Sequence, residues 1–160
     1  MYAPDMADSW ASSETSRRTM VANRRRDTQP EMRVRRILHA AGLRYIVDAR
    51  PITSSRSRAD IVFTKRRIAV FIDGCFWHRC PVHGTTPKAN SDYWTPKLER
   101  NVKRDQEVTQ SLMAAGWTVL RFWEHEDPTT VAAEIIGVWH AANMAESQTR
   151  AGNTPDPLVR

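Results

Sequence analysis

The 160-residue chain has little of several things: two cysteines, six glycines and no apolar run approaching the roughly 20 residues that a bilayer span requires. Two cysteines cannot supply a disulfide framework, and the N-terminus lacks the apolar core of a secretory signal. A cytoplasmic protein without a membrane partner is therefore expected, and in a reducing compartment Cys75 and Cys80 are expected as metal ligands or free thiols. Internal repeats are absent, and the length suits one domain rather than two. What the chain does have is positive charge: 24 Lys and Arg against 18 Asp and Glu give a formal net charge of +6. Polyanions are the partners such a balance favours, nucleic acid first, although a solvated basic surface has the same composition.

Part of that charge is concentrated. Arg17, Arg18, Arg24, Arg25 and Arg26 lie in one short stretch, suited to a basic arm along phosphates and equally to a tail. Residues 1–16 read as a polar tail, with Met6 a second candidate start. Then "TQPEMRVRRILHAAG" predicts a helix capped by Thr28, with Pro30 in its first turn and Gly42 as its stop; Met32, Ile37, Leu38 and Ala41 are expected on its buried side. Three strand-like runs follow, at 43–49, 59–64 and 68–74. The short link "KRR" makes the last two an antiparallel hairpin. A helix over 93–115, a strand over 117–123 and a helix over 128–142 complete the order, with residues 143–160 as a polar tail. A mixed sheet flanked by helices, an α/β fold, is the architecture this order predicts.

Two groups of residues carry chemistry. With the hairpin turning between Arg66 and Arg67, Asp60 falls opposite Asp73, and like charges so placed call for a cation between them. Mg²⁺ is one answer, since it takes oxygen ligands and leaves room for water and phosphate; two strand ends facing solvent is the other. Glu31 either closes a capping box with Thr28 or serves the site. The second group is Cys75, Cys80 and His83, three zinc-type ligands within nine residues, with His125 after the fourth strand the best fourth ligand. Buried thiols beside surface histidines are the alternative. Phe76 and Trp77 stand inside this group. Successive side chains of an extended segment point to opposite faces, so both rings can act together only from a loop, where they and Trp94 are suited to stacking on bases; packing in the core is the alternative for each, and the usual one for an isolated Trp.

The ordered set "SRADIVF", "GCFWH", "YW" with Lys97 and Asn101, "RD" at Arg104 and Asp105, and "GWTVLRFWE" resembles the very-short-patch-repair (Vsr) endonucleases over about residues 15–126. The resemblance implies a restriction-endonuclease-like αβββαβ core of the PD-(D/E)xK superfamily with a structural zinc site. It implies that Asp60 is the principal Mg²⁺ ligand, joined by Asp73 and the backbone carbonyl of Ile72, that His78 is the general acid/base, and that Glu31 assists. Phe76, Trp77 and Trp94 would wedge into the duplex from the major groove, Met20 would probe the minor groove from an arm over 17–30, and Lys97 and Asn101 would make recognition contacts. The implied reaction is a nick 5′ to the thymine of a T:G mismatch left by 5-methylcytosine deamination. That links the chain functionally to a cytosine-5 methyltransferase, and to a mismatch-repair protein as a further candidate. A monomer suffices for one nick. Two departures stand out: Ile72-Asp73-Gly74 replaces the "THG" of a well-known branch, and His125 stands where that branch has cysteine. Two other readings stay open, a same-fold nuclease with an unmismatched target and a non-catalytic zinc-stabilised DNA-binding module.

Overall fold

The computed structural model describes residues 26–85 and 90–151, with side chains through residue 145. Met20, Arg17, Arg18, Arg24 and Arg25 lie outside the described residues. In chain order the elements are helix α1 (Gln29–Ala40), strands β1 (Ile46–Ala49), β2 (Ala59–Phe63) and β3 (Ile68–Asp73), helix α2 (Ser91–Ala114), strand β4 (Thr118–Trp123) and helix α3 (Pro128–Ala151). The strands form one mixed sheet in the order β1-β2-β3-β4, with β3 and β4 parallel and the other pairs antiparallel. Parallel strands need a crossover, and α2 supplies it.

Central β3 is buried on both faces, and its alternating side chains divide the core in two. Ile68 and Val70 join Ile61, Phe63 and Phe122 under α1 (Val34, Leu38) and α3 (Val131, Ala132, Ile135). Ala69 and Phe71 join Val62 under Leu112 of α2. Truncating a fully buried member such as Ile68 to alanine would cost about 2–5 kcal/mol.

Thr28 caps α1 as expected, and Gly42 ends it at φ +84°. The buried stripe of α1, however, is Glu31, Val34 and Leu38; Met32 is only half-buried and Ala41 is exposed. Strand β1 starts at Ile46 rather than residue 43, because the lead-in packs back onto α1. Leu43 donates its N–H to the Leu38 carbonyl, and the Tyr45 hydroxyl donates to the Arg35 carbonyl at 2.8 Å. Helix α3 runs on to Ala151 instead of stopping at 142, since the extension is rich in the strong helix formers Ala, Met, Glu, Gln and Arg.

The hairpin needs a correction. One turn of 3₁₀ helix at Thr64–Arg66, followed by Arg67 at φ +50°, makes a four-residue link centred one position earlier than expected. Ile61 therefore faces Val70 and Val62 faces Ala69, so Asp60 and Asp73 are two positions out of register and not directly opposed.

Candidate active site and metal centre

The parallel register at the end of β3 and β4 decides what comes together. Asp73 lies beside Trp123, and two residues further along each strand stand Cys75 and His125. The chain keeps that alignment as it leaves the sheet: the Asp73 carbonyl accepts the Glu124 N–H at 3.0 Å, and the Glu124 carboxylate accepts the Cys75 N–H at 2.7 Å. As a result Cys75 Sγ is 3.0 Å from His125 Nδ1, and Cys80 Sγ is 3.7 Å from it.

The turn over residues 75–83 brings in the rest. Its Cys80 N–H bonds to the Cys75 carbonyl and its Gly84 N–H to the Cys80 carbonyl at 2.7 Å. Gly84 is required there, because a Cβ would lie 2.4 Å from the Cys80 oxygen. Ligand atoms of Cys75, Cys80, His83 and His125 all fall within 4.8 Å of one another, with both cysteines buried and both histidines exposed. Such a donor set fits one tetrahedral ion. Burial, with Cys80 and Glu124 alongside, pushes the Cys75 thiol up to about 11, so the sulfur gains from a cation that would hold it as thiolate.

The same turn gathers the aromatic residues. Phe76 and Trp77 meet edge to face at 5.1 Å, and Trp94 from the first turn of α2 stands 5.5 Å from Phe76 and 5.9 Å from Trp77. Phe76 and Trp77 are half-buried, whereas Trp94 is 5% exposed and acts as their floor. Lys97 Nζ lies about equally close to Tyr93 and Trp94, 5.1 Å from each ring, and donates to the Tyr93 hydroxyl. Asn101 donates to the Trp77 carbonyl at 3.1 Å. Both α2 residues thus brace the aromatic turn.

At the base of the turn lies the carboxylate group. Asp60 is half-buried at the start of β2, and its Oδ2 accepts the Ile72 N–H at 2.7 Å. In an extended residue the N–H and C=O point the same way, so the Ile72 carbonyl faces the Asp60 side too. Among the described residues no Lys, Arg or His forms an ion pair with Asp60. Burial, reinforced by the charges of Glu31 and Asp73, lifts its carboxyl to about 7, although the Ile72 N–H and Arg121 pull the other way. A carboxylate so placed lacks a cation, and the donor set of Asp60 with the Ile72 carbonyl fits a hard divalent ion.

Its neighbours are already satisfied. Glu31, 2% exposed, closes the capping box through the Thr28 N–H at 3.3 Å and takes Arg35 at 2.9 Å, so capping and a place beside Asp60 coexist. Asp73, 8% exposed, accepts two hydrogen bonds from Arg121, at 2.7 and 2.8 Å. His78 turns Nδ1 to Asp105 Oδ2 in a short contact, with Asp73 Oδ1 at 3.7 Å. Burial opposes it, yet His78 and Arg121 hold the Asp105 carboxyl below its ordinary range. A cavity of about 770 Å³ opens onto Asp73, His78, Asp105 and Arg121, between α2 and β4.

Sequence reasoning gave no role to Asp105 and Arg121. The available signal was spacing: Asp105 and Thr109 sit four apart on one face of α2, and Arg121 follows Val119 on β4, both of which turn toward that helix.

The whole chain was also compared with known proteins. A family model described as DNA mismatch endonuclease Vsr matches residues 7–83. The type II nicking enzyme V.NaeI of Lentzea aerocolonigenes is 51% identical over 125 residues, covering 77% of this chain and 75% of that protein. The type II nicking enzyme V.XorIIP of Xanthomonas oryzae is 40% identical over 117 residues, 72% of this chain and 83% of its own length. The DNA mismatch endonuclease Vsr of Escherichia coli (strain K12) is 34% identical over 112 residues, 69% of each.

Proposed function

From the premise that the chain belongs to the Vsr family of DNA mismatch endonucleases, and so is a hydrolase acting on DNA, we propose that it nicks one strand 5′ to the thymine of a T:G mismatch. On this reading the αβββαβ order is the PD-(D/E)xK core and the sheet end is its active site. The observation that carries the proposal is Asp60, a carboxylate lifted to about 7 by burial and two like charges, with no ion-pair partner among the described residues. Asp60 and the Ile72 carbonyl would hold Mg²⁺, with Asp73 adding negative charge at its edge. The ion supplies positive charge for the scissile phosphate.

Everything else falls to the chain itself. His78, with Nδ1 held by Asp105, presents Nε2 to take a proton from the attacking water. Phe76 and Trp77, resting on Trp94, enter the base stack, which costs a few kcal/mol per step and least at a weak pair. Lys97 and Asn101 stand behind the rings, where contacts to the opened pair are in reach. Cys75, Cys80, His83 and His125 would hold Zn²⁺, which would pin the turn that carries both His78 and the rings. On this reading Met20 and the arginines of residues 17–25, which lie outside the described residues, contact the duplex from the minor-groove side. Since T:G pairs arise where 5-methylcytosine deaminates, a cytosine-5 methyltransferase is the functional partner, with a mismatch-repair protein a second candidate.

The test is cleavage of end-labelled duplexes that differ only in T:G or T:A, with Mg²⁺ and with EDTA. Nicking confined to T:G with Mg²⁺ is expected. Equal cutting of T:A points to a sequence-specific nuclease instead, and binding without cutting points to a DNA-binding module.

A further inference from the structure

We infer that Arg121 is a positioning residue for His78, acting by choosing which of two carboxylates holds the imidazole. The inference rests on the proposed role of His78 in nicking.

Arg121 reaches into the site from β4, half-buried, with its guanidinium 4.7 Å over the Phe71 ring. Nε donates to Asp73 Oδ2 at 2.8 Å and Nη2 to Asp73 Oδ1 at 2.7 Å, a bidentate pair of the geometry only a guanidinium provides. Nη2 also lies 3.3 Å from Asp105 Oδ1, and Nη1 faces the Thr109 hydroxyl at 3.4 Å and the Asp105 carbonyl at 3.5 Å. All its nitrogens are thus directed at protein acceptors, and the side chain is a tie between the end of β3 and the middle of α2 rather than a free phosphate ligand.

His78 Nδ1 stands between the two carboxylates that Arg121 ties. Asp105 Oδ2 is in short contact, while Asp73 Oδ1, already taken by Nη2, is held off at 3.7 Å. Without the guanidinium, two like charges would face one imidazole in a half-buried setting, and Asp73 would turn to the nearest remaining donor, the His78 ring N–H. The ring would then be shared and its Nε2 re-aimed. With the guanidinium in place, Asp73 is saturated and Asp105 alone fixes the ring. The arrangement belongs to a chain with aspartate in the Ile72-Asp73-Gly74 segment; the basic residue on β4 is its counterpart.

The experiment compares the parent, Arg121→Met and the double variant Asp73→Asn/Arg121→Met, which removes both charges and leaves neither buried alone. Single-turnover nicking and duplex Kd are measured on a T:G duplex, and the His78 ring is observed by long-range ¹H–¹⁵N correlation at one fixed pH. Arg121→Met should lower the single-turnover rate roughly 100-fold, the scale of an ångström-sized misplacement, with Kd unchanged. The single, Nδ1-protonated ring form of the parent should become a mixture. The double variant should regain the single ring form, whatever rate the loss of the Asp73 charge leaves it. An unchanged rate, a loss confined to Kd, or a double variant whose His78 ring stays as mixed as in Arg121→Met would overturn the inference. Failure of the parent to nick T:G would sink the functional reading instead. The ring spectrum still decides in that case, an unchanged His78 signal in Arg121→Met counting against the tie.

Discussion

The Cys/His cluster and the carboxylate group share one end of the sheet, yet they are assembled by different means. The cluster is held by backbone: three ligands come from one nine-residue turn, and the fourth is delivered by the parallel register that sets Cys75 beside His125. The carboxylate group is held by charge. Glu31 is fixed by Arg35 one helical turn on, whereas the pairs of Asp73 with Arg121 and of Asp105 with His78 each join two elements distant in sequence. Asp60 alone among these carboxylates has no ion-pair partner among the described residues. A backbone-built site tolerates exposure of its histidines; a charge-built one works only while each counterion stays in place, and leaves Asp60 without one, where Mg²⁺ is proposed to bind.

Breaking the charge-built side should have the largest effect. Asp60→Ala is expected to lower Mg²⁺-dependent nicking by about 10³-fold, the several kcal/mol that a bound ion contributes to a phosphoryl transition state, while anisotropy shows duplex binding retained. Cutting the backbone-built side should act on stability first. Cys80→Ser should take zinc content from one equivalent to none by mass spectrometry, and remove the stabilisation that binding confers, about 4 kcal/mol when free metal stands at 1,000 times its Kd. Gly84→Ala sharpens the contrast without touching a ligand. The clash with the Cys80 carbonyl should cost about 1–3 kcal/mol in urea unfolding and loosen zinc, since the turn must open to admit the Cβ.

The remaining effect runs in the opposite direction. A carboxyl raised to about 7 in the fold stabilises it fully below its unfolded value near 4, and that contribution is lost as pH rises through 7. In magnesium-free buffer at pH 8, Asp60→Asn should therefore be more stable than the parent, by roughly 2–4 kcal/mol, and the difference should vanish by pH 4. A parent and variant of equal stability at pH 8 would mean that Asp60 is already compensated.

The same division governs what the sequence made legible. Ligand spacing in the 75–83 turn and the order of elements are local properties, readable without coordinates. Pairing Asp60 with Asp73 required a hairpin centre, and a single 3₁₀ turn at Thr64–Arg66 moved it by one position. Arg121 escaped notice because its meaning lies in two partners, 48 and 16 residues away, that only the crossover through α2 brings to it. Glu31 showed that two readings of one residue can both hold, since its carboxylate closes the cap and lies among the site's charges at once.

Calorimetric titration of Mg²⁺ into the zinc-loaded protein, parent against Asp60→Asn, bears most directly on the charge that has no counterion. One Mg²⁺ site in the parent and none in the variant, with zinc content equal in both, is expected. Equal Mg²⁺ binding by the two proteins would contradict it and remove the metal from Asp60.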